Sequence, residues 1–152
     1  MPTSYAGMNL IDHTDDSKFV NPTNVDVVTN HMLTSTMLSP SGSVRHILIT
    51  ELGLASYSSK IATDELTQAA AMVYAYKLTS SNPYIEGIVF HRQVDHASEI
   101  KNDGMALGIR SETGTKYSYY VFANMDKGNT FQYTDFALPI IGASSWAQLG
   151  LQ

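Results

Sequence analysis

Glu51 directly follows the aliphatic and β-branched run Ile47-Leu48-Ile49-Thr50. A carboxylate is expensive to bury unpaired, so this position calls for a solvated strand end, a pairing group or a site. Two other apolar runs close on ionisable groups: GMNLIDH at 7–13 ends on His13, and YIEGIVFH at 84–91 ends on His91, with Arg92 next. If neighbouring strands bring these ends together, His13 and His91 approach Glu51, where imidazoles bind hydroxyl groups or shift a carboxylate's proton affinity without any metal. Tyr57, on the loop after Glu51, is placed to stack on a ligand with an apolar face, such as a sugar ring.

Other chemistries find less support. His91, Asp95 and His96 are metal-ligating types, but their spacing matches no strong motif, and the plainer reading pairs Arg92 with Asp95 while the histidines line a polar loop. Ser56, Ser58 and Ser59 lack the G-x-S-x-G elbow of a serine hydrolase, and neither a Walker nor a G-x-G-x-x-G loop occurs. The absence of cysteine removes disulfides, thiolate zinc sites, iron–sulfur clusters and thiol nucleophiles. No metal and no cofactor are expected.

The elements that must carry these residues follow from pattern. The runs 7–13, 44–52 and 84–91 are short and continuously apolar, as strands covered on both faces are. Between the first two, Asn21-Pro22 breaks the chain and Thr23 with Asp26 has capping-box spacing. A helix with Val25, Val28, Met32, Leu33 and Thr36 on one face is expected, stopped by Ser39-Pro40-Ser41-Gly42. After a loop over 53–62, Thr63 caps a second helix with Asp64 and Glu65 in its first turn and Leu66, Ala69, Ala70, Val73 and Leu78 on its apolar face, ending at Asn82-Pro83. Residues 92–114 read as a long loop, extended over 105–110. Helices follow over 117–125 and 131–141, with Pro139 bending or ending the latter, and Trp146 sits in a short terminal helix. Most of the nine tyrosines, including Tyr74, Tyr76, Tyr117, Tyr119 and Tyr120, read as packing residues.

Strand, helix, strand, helix, strand, helix is the order that builds a parallel sheet through crossovers, so the fold class is α/β. In such folds functional groups gather at the carboxyl ends of strands, where His13, Glu51, His91 and Arg92 lie.

The segments ILITELGLAS, DELTQAAAMVYAY and NPYIEGIVFHRQVDH resemble the C-terminal part of an uncharacterised bacterial family, DUF5722, which is similar to clan A glycoside hydrolases. The resemblance runs from about Gly7 to Trp146. It implies that the chain carries the sixth, seventh and eighth β/α units of a (β/α)8 TIM-like barrel, incomplete as an isolated chain. Glu51 then matches the clan's nucleophile at the end of the seventh strand, and His13 falls at the sixth-strand position where related enzymes place His-x-Tyr. Here the sequence is His13-Thr14-Asp15. A sugar-stacking Trp at the eighth strand end is replaced by Phe90-His91-Arg92. Retaining hydrolysis needs two carboxyl groups ~5–5.5 Å apart, and the clan's acid/base comes from the fourth strand, outside this chain. The expected function is therefore O-glycosyl hydrolysis by the full-length parent, with the isolated chain inactive. Alternatives are a non-catalytic carbohydrate-binding barrel and a small α/β association domain.

Composition bounds the partners. With 43% hydrophobic and 15% charged residues in 152, the chain has the makings of one folded domain over 1–152. A net charge of −5 with no basic cluster argues against nucleic acid and anionic lipid. Residues 1–9 lack the features of a signal peptide, no apolar stretch reaches the ~20 residues that span a bilayer, and compartment stays open. The expected partners are a carbohydrate and either the missing N-terminal barrel units or a second copy, since three units leave open sheet edges.

Overall fold

The computed structural model describes residues 14, 17, 20–127 and 131–151. The strand expected over 7–13, with His13 at its end, lies outside the described residues. The Asn21 side chain accepts the N–H of Thr23 at 2.8 Å, while Asn24 Oδ1 accepts the N–H of Asn21 at 2.8 Å. This reciprocal cap starts a 3-10 turn over Pro22–Asn24, two residues before the Thr23–Asp26 spacing suggested. Helix α1 (Asp26–Met32) follows and stops well short of Pro40. Of the expected face Val25 is buried, Val28 and Met32 are half-buried and Leu33 and Thr36 are exposed, while the buried residues of the helix itself are Val27 and Thr29. Thr29 is drawn inward because Asn82 donates to its hydroxyl at 3.1 Å.

Strands β1 (Ile47–Gly53) and β3 (Ile85–His91) pair in parallel, and helix α2 (Glu65–Ser80) lies between them in sequence. The cap of α2 is Asp64, whose Oδ1 accepts the Thr67 N–H at 2.7 Å. Thr63, expected in that role, donates its hydroxyl to the Ala55 carbonyl at 2.9 Å. Helix α2 packs against β3, α4 (Tyr117–Asn124) and α6 (Ala137–Ile141), and so buries more than one stripe: Gln68, Ala69, Ala70, Met72, Val73 and Ala75 are all buried while Leu66 is exposed. The alanines admit this close packing on both sides, giving a core with Leu52, Leu54, Ile109, Val121, Ala137, Trp146 and Leu151.

The 92–114 connection is structured rather than a plain loop. It holds helix α3 (Ala97–Asn102) and strand β4 (Met105–Ala106), which pairs antiparallel with β2 (Tyr57–Ser58). The extended stretch expected over 105–110 is a strand only at its first two residues, with an isolated bridge at Arg110. The helix expected over 131–141 is two helices, α5 (Phe131–Thr134) and α6. Pro139 explains the break: it has no N–H for the carbonyl of Asp135, and its ring crowds that group, so the interruption falls one turn earlier. Trp146 stands at the N-cap of a closing 3-10 turn and donates Nε1–H to Asp135 at 2.8 Å.

The fold is thus mixed α/β, with helices and two small sheets. No barrel closes among the described residues. One face of the β1–β3 sheet is packed by Ile49, Leu52, Ile88 and Phe90 against the helices, while Leu48 and Val89 are 55% and 51% exposed on the other.

Candidate functional site

The register of the parallel pair decides where Glu51 points. Ile49 sits opposite Ile88 and Leu52 opposite Phe90, so β1 spends three steps where β3 spends two. The extra residue is a β-bulge at Thr50–Glu51. In an unbroken strand Glu51 would share the face of Ile49 and enter the core; the bulge instead turns Leu52 inward and leaves Glu51 73% exposed. A local irregularity thereby spares the core a carboxylate and presents it at the carboxyl end of the sheet.

His91 closes the adjacent strand, with Gly53 as its cross-strand partner. Its Nδ1 lies 3.4 Å from Glu51 Oε1, and its Nε2 lies 3.3 Å from Glu99 Oε1 on α3. Arg92 donates Nη1–H to that same Glu99 oxygen at 2.9 Å. The peptide bond between His91 and Arg92 is cis. Burial pushes the Glu99 carboxyl up, but hydrogen bonds from His91 and Arg92, together with their charge, outweigh it and hold the group below the ordinary carboxylate range. The result is a row of alternating charge types, Glu51, His91, Glu99 and Arg92, running from β1 across β3 to α3.

Beneath this row a second polar cluster pins the loops. Lys116, 5% exposed, donates to Asp95 at 2.7 Å, to Ser56 Oγ at 2.7 Å and to the Gly108 carbonyl at 2.8 Å. Asp95 also accepts the Gly108 N–H at 2.8 Å, and a side chain at Gly108 would run into the backbone of Val94 and Asp95. All three ammonium protons have acceptors, which is what lets a lysine be buried. Close by, buried Gln68 donates to the carbonyls of Leu54 and Gly108 at 2.7 and 3.0 Å and accepts the Ser118 hydroxyl at 2.7 Å. The loop after β1 and the loop after β3 are therefore tied to one another through α2 and α4.

The family model for DUF5722, a family of unknown function, matches residues 2–149. The chain belongs to DUF5722. No curated protein and no solved structure matched it.

Of the residues singled out from sequence, this DUF5722 chain brings Glu51, His91 and Arg92 into one row, and His13 lies outside the described residues. Tyr57 stands on β2, half exposed, in the loop layer that follows β1. The expected Arg92–Asp95 pair does not form: Arg92 takes Glu99 and Asp95 takes Lys116. His96 is bonded to Ser98 at 2.6 Å, and among the described residues no three His, Asp or Glu side chains group as metal ligands. Sequence reasoning missed Glu99 and Lys116. Glu99 lies in the short helix-forming stretch ASEIKN, a faint signal inside a segment read as loop. For Lys116 the local sequence holds no sign that a partner waits in Asp95.

Proposed function

We propose that this chain forms the last three β/α units of a glycoside-hydrolase-like barrel whose full-length protein hydrolyses O-glycosidic bonds with retention, Glu51 being the nucleophile. The observation that carries this reading is the meeting of Glu51 and His91 at the carboxyl ends of two adjacent parallel strands, beside the sheet face left open by the helices. An exposed carboxylate there is free to attack an anomeric carbon, while His91 and Arg92 border it as hydrogen-bonding groups for sugar hydroxyls and Tyr57 offers a ring for stacking. The acid that protonates the leaving oxygen comes from barrel units beyond this chain, and the same units cover Leu48 and Val89.

The test is turnover of a panel of aryl glycosides by the full-length protein, with Glu51→Gln alongside. Loss of turnover on the order of ten-thousand-fold in Glu51→Gln is expected, because a nucleophile is not replaced by its amide. Sugar binding without turnover in the unsubstituted protein sinks the hydrolase reading and favours a carbohydrate-binding barrel.

A further inference from the structure

Glu51 alone does not fix the His91 ring. His91 stands at a strand end, partly exposed, and an imidazole held by only one long contact turns readily about its side-chain bonds. Its second nitrogen meets Glu99 Oε1, and that oxygen is also gripped by Arg92 at 2.9 Å, so the carboxylate is oriented from two sides. The other oxygen, Glu99 Oε2, is buried with no hydrogen-bond partner among the described residues. A carboxylate satisfied at one oxygen and stranded at the other calls for an explanation beyond packing.

We propose that Glu99 is a positioning residue, holding the His91 ring through Nε2 so that Nδ1 faces Glu51. The proposal rests on the reading of Glu51 and His91 as the site, and it adds a residue to it. With a proton on each ring nitrogen, Nε2–H donated to Glu99 holds the ring so that Nδ1–H is the group that meets the Glu51 carboxylate. Second-sphere carboxylates orient histidines in this way wherever a ring must present one nitrogen reproducibly. The depressed affinity of Glu99 for protons keeps this anchor anionic at neutral pH.

The test uses the full chain labelled with ¹⁵N in its histidine rings and needs no sugar. In the parent sequence, Glu51→Gln moves the His91 Nδ1 resonance, because the anionic neighbour is lost. In a Glu99→Met background, which removes the acceptor while filling the same space, Glu51→Gln leaves that resonance in place. In Glu99→Gln, whose carbonyl oxygen still accepts Nε2–H, the response returns. Glu99→Ala serves as the deletion if Glu99→Met does not fold, and unchanged amide resonances in α2 report the fold. An equal Nδ1 response in all backgrounds overturns the proposal, since it shows that His91 addresses Glu51 without help from Glu99. Turnover plays no part in this readout, so a failed hydrolase reading and a failed positioning role give separate signatures.

Discussion

At the scale of single residues, partners across the chain rather than neighbours along it determine what each charge does. Arg92 and Asp95 are three apart in sequence yet bind Glu99 on α3 and Lys116 before α4 respectively. Lys116 is the residue whose loss should cost most. Lys116→Met leaves Asp95 buried without its cation, and a destabilisation of about 3–5 kcal/mol is expected from denaturant unfolding. A cost under about 1 kcal/mol would show that Asp95 reaches water once freed. Glu99 gives a pH signature. Its carboxyl is lower in proton affinity when folded, so its stabilisation is complete above the unfolded-state value and fades as pH falls through the folded one. Unfolding midpoints measured stepwise through the acid range should therefore fall more steeply for the native protein than for Glu99→Gln; parallel curves would remove Glu99 from the acid response. Glu51 was legible because an ionisable group after an aliphatic run is conspicuous. Glu99 and Lys116 were not, because a buried ion pair depends on a fold-level meeting that no local pattern encodes.

The elements were easier to read than their ends. The apolar run of β1 and the punctuation at Asn82-Pro83 placed β1, α2 and β3 correctly, since continuous apolar stretches and proline act through the local backbone. Capping was harder, because Thr63 and Asp64 both have suitable side chains and only the loop geometry assigns the former to Ala55 and the latter to Thr67. Asp64→Ala should accordingly destabilise by about 0.5–2 kcal/mol in chemical unfolding, the usual worth of an N-cap. Thr63→Ala is expected to leave the helicity of α2 unchanged. If Thr63→Ala instead reduces helicity as much as Asp64→Ala, the cap is shared. The β1 bulge was invisible in sequence. Both Glu51 and Leu52 could follow Thr50 on either face, and only pairing with β3 reveals the extra step. That bulge is the element-level device that makes the candidate site, for it exchanges a carboxylate for a leucine at the core.

Across the whole molecule, the helices cover one face of the parallel sheet and leave Leu48 and Val89 bare on the other. In a barrel that second face is the interior, filled by side chains from every strand. The account therefore makes Val89→Asp a comparison between lengths. In the 152-residue chain it should change stability within about 0.5 kcal/mol, as surface substitutions do. In a longer chain carrying the proposed barrel units it should cost about 3 kcal/mol or more, by burying an unpaired charge. Similar small effects in both would mean that no further units cover this face. The α/β class was readable from the alternation of elements, whereas the described strands form two small sheets and a barrel belongs to the proposal alone.

The central claim is that Glu51 attacks the sugar, and covalent trapping tests it most directly. The full-length protein would be incubated with activated 2-deoxy-2-fluoro glycosides, which slow release of a glycosyl-enzyme, and the peptide carrying Glu51 examined by mass spectrometry. The account predicts one glycosyl group on Glu51, with no label on that peptide in Glu51→Gln. Label on a different carboxylate, or glycoside turnover that survives Glu51→Gln undiminished, would contradict it.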